Sequence, residues 1–522
     1  MDMPTQLIAQ SYDSVPYDSK PFAQTHPSRL SARATLFGLS PPDVATARVL
    51  ELGCASGGNL IPMAAALPDA TFVGVDLSGA QIAAGHARIA GLGLTNIELR
   101  QQSIADIGAE HGTFDYIVCH GVYSWVPAPV RDAILRVAHD NLSDNGVAYI
   151  SYNVFPGWRL RGTLRDAMLY HIGGESDPAR KIKLAREVLT QLSEITDAAA
   201  AYGQMFRNEA RGLAGLSDDY IYHEFLELNN EPCYVTDFLT SARKAGLELL
   251  TEASINITIA ESFGPETGKI LRDLSGNQLD RMEQYIDFVT GRTFRQTLLV
   301  RNSQASRIQR QLSPQRLDEL SIMANLAPPP AGSDAPWVLR DPAGRTLTTS
   351  QNLVRDALSH LGANFPRPMT LQQLMVHAAG SSSSPTADAD MDLLRDAVFK
   401  MVLIGMAEIS SHLDRVAEVA TSDTPTATLL SRADAAAARS WTTNPQHEIV
   451  PLSVVASALL PSLDGHHDRH ALERKLAVYV GDGRILLQRD GQRLTEAEEL
   501  DGAIADHVTS ALAQLSKAGL LA

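Results

Sequence analysis

The sequence has few cysteines, no long apolar segment and no excess of basic residues. Its three cysteines, Cys54, Cys119 and Cys233, are odd in number and far apart, so neither a disulfide framework nor a metal site is indicated. No stretch approaches the roughly 20 apolar residues that span a bilayer, and the first residues lack a basic region followed by an apolar core. We therefore expect a cytoplasmic protein without membrane insertion.

The balance of charge is acidic. The 522 residues include 60 acidic and 44 basic side chains, which gives a formal net charge of −16. Binding to nucleic-acid phosphates needs a basic surface, so we expect no nucleic-acid partner; a basic protein substrate or a small ligand suits this charge better. An apolar fraction of 44% is normal for a globular protein, and the length predicts roughly three domains.

From Ala47 to Tyr152, short apolar runs alternate with helical stretches. Strands are predicted at Arg48–Leu52, Thr71–Asp76, Ile97–Arg100, Phe114–Cys119 and Gly146–Tyr152, and helices at Asn59–Leu67, Ser78–Leu92 and Pro129–Asn141. This alternation predicts an α/β fold with a Rossmann-like, doubly wound sheet. Two later strands, Glu248–Ile257 and Phe294–Arg301, would complete a seven-stranded sheet, with the helical stretch before them as an insertion. A separate helical domain from residue 159 onward is the alternative.

The part of the chain after the sheet has a different pattern. A proline-rich stretch near Leu326 indicates a linker. Beyond it, predicted helices at Leu353–Leu361, Leu371–Ala379 and Met391–Met406 precede a short strand, an order typical of winged-helix-like α+β domains. The predicted divisions are an N-terminal arm (1–45), a Rossmann-like core (46–158), a helical insertion (159–230), the end of the sheet (231–302), a linker (303–335) and a winged-helix-like domain (336–522).

A glycine-rich segment lies between the first strand and the first helix. It reads Glu51-Leu-Gly53-Cys-Ala-Ser-Gly57-Gly58-Asn59, and glycines at such a junction let the backbone turn sharply and approach a ligand closely. Ala55 replaces the second glycine of a dinucleotide-binding fingerprint. The remaining pattern, an acidic residue followed by Gly53, a small residue and Gly57, resembles motif I of class I S-adenosylmethionine-dependent methyltransferases. This resemblance implies S-adenosyl-L-methionine as the cofactor. A tight turn without a ligand is the alternative.

Two further positions support this cofactor. Asp76 ends the second strand, where its carboxylate can accept both ribose hydroxyls; a helix-capping role is less suitable, since Ser78 is available as the cap. Many class I enzymes carry an aspartate at the position of Ser103, but Ser103 and Ile104 can still hydrogen-bond to the adenine and pack against it. The predicted cofactor-binding residues are Glu51, Gly53, Ala55, Gly57, Asn59, Asp76, Leu77, Ser103, Ile104 and His120.

The methyl acceptor is expected beyond the carboxyl end of the fourth strand. Residues 114–158 are rich in aromatic side chains, whereas the whole chain has only 6%. Aromatic residues within strands suit the core, whereas those at strand ends and in loops suit a pocket and the core equally well. We predict catalytic roles for His120, Tyr123 and Trp125. Further along, Tyr222-His223-Glu224 suits either a pocket lining or an ordinary amphipathic helix face.

The likeness extends well beyond the glycine-rich segment. The stretches that carry it are SYDSVPYDSKPFAQTHPSRL, RVLELGCASGGNLIPMA, FDYIVCHGVYSWVP, SYNVFPGWRLRGTLRDAMLYH and YIYHEFLELNNEPCYVTDF. Together they resemble bacterial methyltransferases that carry a methyltransferase regulatory domain, a group that includes rickettsial-type lysine methyltransferases of outer-membrane proteins. The resemblance implies an arm folded over the cofactor, with Tyr12, Tyr17 and His26 near the pocket and Tyr17 among the catalytic residues. It also implies a homodimer.

Three functions are compatible with these observations. The first is a protein lysine N-methyltransferase, in which aromatic rings desolvate the lysine and contact its methylated products. The second is a small-molecule O- or N-methyltransferase, which would use His120 or another base. The third is a cofactor-binding regulator without turnover. The length of the C-terminal part favours the first, because it supplies surface to hold a polypeptide.

Overall fold

The computed structural model describes residues 19–227, 229–330, 332–381, 387–412, 423–489, 492–494 and 497–521. Its main feature is a seven-stranded sheet with the order β3-β2-β1-β4-β5-β7-β6. The strands are β1 (Arg48–Leu52), β2 (Thr71–Asp76), β3 (Ile97–Gln101), β4 (Phe114–Cys119), β5 (Leu142–Asn153), β6 (Leu247–Glu252) and β7 (Phe294–Arg301). All neighbouring strands are parallel except β7, which runs antiparallel to both β5 and β6. The predicted doubly wound α/β fold is confirmed.

Both faces of this sheet are covered. Side chains alternate between the faces along each strand, so Val49 joins one hydrophobic cluster and Leu50 joins the other. The helices of this part are α1 (Pro27–Leu36), α2 (Leu60–Ala66), α3 (Gly79–Leu92) and α4 (Ala128–Asp140). Ser78 caps α3 by accepting a hydrogen bond from the backbone N–H of Gln81. This cap agrees with the sequence, which offers Ser78 for the role.

A helical insertion follows β5. It contains α5 (Gly157–Ile172), α6 (Pro178–Ile195), α7 (Ala201–Ala214) and α8 (Asp218–Ile221), and α8 continues into a π-helical turn at Tyr222–Leu226. The insertion has its own hydrophobic cluster. After it come α9 (Val235–Lys244), β6, α10 (Pro265–Ser275), α11 (Leu279–Thr290) and β7. The last two strands therefore pair in the main sheet, and the alternative of a wholly separate helical domain from residue 159 is wrong.

Two of the predicted segments contain packed structure. The segment predicted as an N-terminal arm (1–45) includes α1, which is almost wholly buried. The segment predicted as a linker (303–335) contains β8 (Ser321–Met323), the central strand of a small sheet, and buries Leu317. In both segments proline suggested an irregular chain, but the apolar residues beside it pack into the core.

Two further units follow the main domain. The first contains β9 (Trp337–Arg340), β10 (Thr346–Thr349), α12 (Asn352–Ala363), β11 (Met369–Thr370), α13 (Leu371–Ala378), α14 (Ala387–Leu403) and β12 (Glu408–Ser410). The second contains α15 (Leu429–Ala436), β13 (Trp441–Thr443), β14 (Ile449–Pro451), α16 (Val454–Leu459), α17 (Arg469–Gly481), β15 (Gln488–Arg489), β16 (Gln492–Arg493) and α18 (Ala497–Lys517). The first shares the core of the main domain, whereas the second has a core of its own. Each helix in the described ranges is either too short or too polar to cross a membrane.

Candidate functional site

A cavity of about 420 Å³ opens at the carboxyl ends of β1, β2, β3 and β4. Each of these strands is followed directly by residues that line the cavity, as the topology of an open α/β sheet predicts. The N-terminal segment and the helical insertion close it from the other side. The lining residues include Ser19, Phe22, Glu51, Gly53, Ala55, Asn59, Asp76, Leu77, Ser103, Ile104, His120, Trp125, Arg161, Tyr220, His223 and Glu224.

The glycine-rich loop forms the floor of the cavity. Gly53 has a φ of +77°, and a Cβ added there would lie 2.4 Å from the side chain of Val122, so this position requires glycine. Gly57 also has a positive φ, but it packs beneath the loop, where a Cβ would lie 3.0 Å from Leu99. Gly57 therefore has a conformational role beside core side chains, and its contact with the cofactor stays a prediction.

Asp76 holds the glycine-rich loop in place. Its Oδ2 accepts a hydrogen bond from the backbone N–H of Ala55 at 2.8 Å, and its Oδ1 accepts one from Ser78 at 2.9 Å. Each carboxylate oxygen has a second lone pair, and the side chain lines the cavity. Asp76 can therefore accept hydroxyl hydrogen bonds from a ligand while it keeps both of these contacts.

Glu51 and Asn59 are both buried and both line the cavity. The Asn59 side-chain amide donates to Oε1 of Glu51 at 2.8 Å. Oε2 of Glu51 is buried and has no hydrogen-bond partner among the described residues. Burial raises the pKa of Glu51 to about 8. The site therefore presents a buried carboxyl group that would be satisfied by a cationic donor.

The walls near β3 are mostly apolar. Ile104 is almost wholly buried, and Leu77 and Ile104 both line the cavity. Ser103 also lines it, while its hydroxyl accepts a hydrogen bond from the backbone N–H of Ala105 at 3.3 Å. This combination suits a flat, uncharged ring system such as adenine.

His120 lies between aromatic rings at the end of β4. Its ring centroid is 3.8 Å from that of Phe22, and its Nδ1 lies 2.8 Å from the hydroxyl of Tyr149. Burial lowers the pKa of His120 to about 3. The imidazole is therefore uncharged near neutral pH and is a weak base.

The remaining predicted catalytic residues are placed differently from one another. Trp125 lines the cavity. The ring of Tyr123 packs in the core instead, with its centroid 5.2 Å from that of Phe238 and 6.0 Å from that of Tyr152, and its catalytic role stays a prediction. Tyr17 lies outside the described residues.

The helical insertion contributes polar groups that are not among the predicted catalytic residues. Arg161, Tyr220, His223 and Glu224 line the cavity. Burial raises the pKa of Glu224 to about 7, although the positive charge of Arg161 acts to lower it. His223 makes a buried 3.0 Å contact with Glu227 through its Nδ1. Of the two interpretations of Tyr222-His223-Glu224, the pocket lining holds for His223 and Glu224.

These residues fit S-adenosylmethionine. The unpartnered Oε2 of Glu51 suits the ammonium group of its amino-acid tail, and Asp76 suits its ribose hydroxyls. The apolar wall formed by Leu77 and Ile104 suits its adenine. When bound, this cofactor supplies a methyl group on a positively charged sulfur.

Replacement of Asp76 by alanine should weaken S-adenosylmethionine binding by about 1.5–3 kcal/mol, because a charge-assisted contact to the ribose is lost. Calorimetric titration measures this directly. Asp69→Ala is the matched control, since Asp69 is exposed in the turn before β2. Unchanged affinity in the Asp76 variant would contradict the ribose contact.

Three family models match the chain. One described as a methyltransferase domain matches residues 50–148. One described as a predicted methyltransferase regulatory domain matches residues 217–301. The third, described as the C-terminal winged helix domain of PKMT, matches residues 423–520. The first covers the glycine-rich loop and Asp76, and the second covers the part of the insertion that holds Glu224.

The chain also has rickettsial relatives. An uncharacterized protein of Rickettsia prowazekii (strain Madrid E), RP789, is 35% identical over 499 residues, which cover 94% of this chain and 89% of the relative. RP028 of the same organism is 38% identical over 241 residues, which cover 46% of this chain and 96% of the relative. Among solved structures, PKMT2 from Rickettsia typhi has a TM-score of 0.87 and 27% identity, and the match covers 97% of this chain and 100% of that chain. PKMT2 has also been solved in complex with AdoHcy.

The expected family and cofactor are confirmed. The likeness to RP789 extends over nearly the whole of both chains, and the three domain models follow in the same chain. The chain belongs to the class I S-adenosylmethionine-dependent methyltransferases that carry a methyltransferase regulatory domain and a PKMT-type winged-helix domain, and S-adenosylmethionine is its cofactor.

Proposed function

We propose that this methyltransferase transfers methyl groups to lysine side chains of a protein substrate. The observation that carries the proposal is the position of Glu224, whose carboxyl group lines the same cavity as the residues suited to the cofactor. Its pKa is raised to about 7 by burial. A lysine must lose a proton before it can attack a methyl group, and a carboxylate with a pKa near neutrality can accept that proton.

The chemistry of Glu224 suits an ammonium group in two ways. The carboxylate attracts the charged lysine into the cavity, where loss of water lowers the pKa of the amine. It then accepts one proton from the nitrogen, so that the neutral amine keeps its lone pair for the new C–N bond. The charge on Glu224 is neutralised in the same step, and the proton leaves to solvent afterwards.

Three side chains of the cavity suit a cationic product. His120 is uncharged because burial lowers its pKa to about 3, so it does not repel a methylated ammonium. Trp125 and Phe22 line the cavity, and aromatic faces bind such cations. The same low pKa makes His120 a poor base for a hydroxyl acceptor, which weakens the small-molecule O-methyltransferase alternative.

The sequence resemblance supports the same acceptor class. The chain resembles a bacterial group that includes rickettsial-type lysine methyltransferases, and the winged-helix model and the Rickettsia typhi structure share the designation PKMT. The net charge of −16 would also attract a lysine-rich partner.

Incubation with a methyl-labelled donor and a bacterial cell-envelope extract tests the proposal. We expect the label in the protein fraction, and acid hydrolysis should release it as methylated lysine. The Asp76→Ala variant is the control for dependence on the bound cofactor. Label confined to small molecules, or released from protein as another methylated residue, would contradict lysine transfer.

A further inference from the structure

A residue of the C-terminal winged-helix domain reaches the cofactor site. Strands β13 and β14 form a hairpin, and His447 lies in its turn, 2% exposed. The Nε2 of His447 is 2.8 Å from Oδ1 of Asn59, which follows the glycine-rich loop. Asn59 and His447 are separated by 388 residues in sequence, so only the docking of the two domains brings them together.

The hydrogen bonds around Asn59 fix its orientation and the tautomer of His447. The backbone N–H of Phe22 can only donate, and it lies 2.9 Å from the same Oδ1. That atom is therefore the amide oxygen, and the Nε2 of His447 must carry a proton to donate to it. The opposite side of the amide then directs its Nδ2 toward Oε1 of Glu51 at 2.8 Å and toward the hydroxyl of Thr25 at 3.0 Å.

The chain of contacts ends at an unsatisfied atom. His447 donates to Asn59, Asn59 donates to Glu51, and the second oxygen of Glu51 is buried without a partner among the described residues. That oxygen is the group suited to the ammonium of the cofactor. The position of the carboxylate consequently depends on Asn59, and the orientation of Asn59 depends in part on His447.

Ion pairs hold the winged-helix domain against the main domain on both sides of His447. Arg29 lies 3.3 Å from Glu448, and Arg88 lies 2.8 Å from Asp434. The φ of His447 is +61°, a left-handed conformation in which asparagine, aspartate and histidine are the commonest residues after glycine. The turn therefore accommodates histidine at this position, and a replacement must suit the same backbone conformation.

We propose that His447 is a positioning residue for the ammonium end of S-adenosylmethionine, so that the cofactor site is complete only when the C-terminal winged-helix domain is docked. This inference rests on cofactor binding and is independent of the identity of the methyl acceptor. It assigns the domain a part in cofactor affinity in addition to any contact with a substrate.

Two variants of the whole chain separate the effect of losing the hydrogen bond from the effect of changing the backbone conformation. His447→Asn suits the left-handed backbone, but its side chain is too short to place a donor at the position of Nε2. His447→Gln places a donor the same number of bonds from the backbone as Nε2. Thermal unfolding without ligand shows whether each variant is folded.

Titration with two ligands tests the proposed positioning role. AdoHcy carries the ammonium group, whereas 5′-methylthioadenosine lacks the whole amino-acid tail. We expect His447→Asn to weaken AdoHcy binding roughly 3- to 10-fold, with 5′-methylthioadenosine binding unchanged, and we expect His447→Gln to restore most of the AdoHcy affinity. Equal weakening of both ligands would show a general structural role and overturn the proposal. So would unchanged AdoHcy affinity, or a glutamine variant as weak as the asparagine variant.

Discussion

The Glu224→Gln variant should lose about 10²–10⁴-fold in methyl transfer to lysine, the usual contribution of a general base. Glutamine keeps the size of the side chain but can neither attract the ammonium nor accept its proton. Cofactor affinity should change much less, because the groups suited to the cofactor lie on the opposite side, along the carboxyl ends of the strands. Rate measurements on one confirmed lysine substrate, with the donor at saturation, measure the loss.

The pH dependence gives this prediction a second readout. Because the pKa of Glu224 is raised to about 7, its charged form increases as pH rises through that value. The wild-type rate should therefore rise between about pH 6 and pH 8, and this rise should be absent from the variant. Glu187→Gln, an exposed change on α6 of the same insertion, is the control. A Glu224 variant with the wild-type rate and pH profile would contradict the proposed base.

Local sequence was sufficient to predict much of the cofactor side of the site. The glycine-rich loop and Asp76 lie next to strands whose apolar pattern predicts them, and parallel strands place their carboxyl ends at one edge of the sheet. Gly53 shows why such positions can be recognised in the sequence. Its positive φ and the nearby side chain of Val122 leave no space for a Cβ, so the position requires glycine. Such constraints act over a few residues and are therefore visible in the sequence.

The acceptor side depends on packing that the local sequence does not determine. Tyr123 follows a strand, as Trp125 does, yet its ring turns into the core against Phe238 of α9, while Trp125 lines the cavity. Glu224 reaches the cavity because the whole insertion folds back over the sheet. His447 reaches Asn59 from a separate domain. Each of these placements needs the tertiary contacts, since no periodicity or spacing in the sequence relates the partners.

Replacement of Glu51 by glutamine should weaken S-adenosylmethionine binding by about 3 kcal/mol or more, because the ammonium of the cofactor would then be buried without its counter-charge. The pKa of Glu51 is raised to about 8 by burial, so the free protein holds this group protonated at pH 7. Binding of the ammonium favours the charged carboxylate and should release about one proton. Titrations in two buffers with different ionisation enthalpies measure that release, which should disappear in the variant.

The same substitution should stabilise the protein when no cofactor is bound. The folded-state pKa of Glu51, about 8, lies above the ordinary value of 4.5, so the folded state holds a proton that the unfolded state has lost between these values. The free energy of unfolding therefore falls as pH rises through this range. Above about pH 8 the folded protein bears the full cost of burying the charged carboxylate. Glu51→Gln removes that penalty, so its thermal midpoint should exceed that of the wild type at pH 8–9, while Glu98→Gln, an exposed change on β3, should not. A variant that is less stable than the wild type at this pH, or one that binds the cofactor normally, would contradict the role of Glu51 as a buried carboxylate reserved for the ammonium.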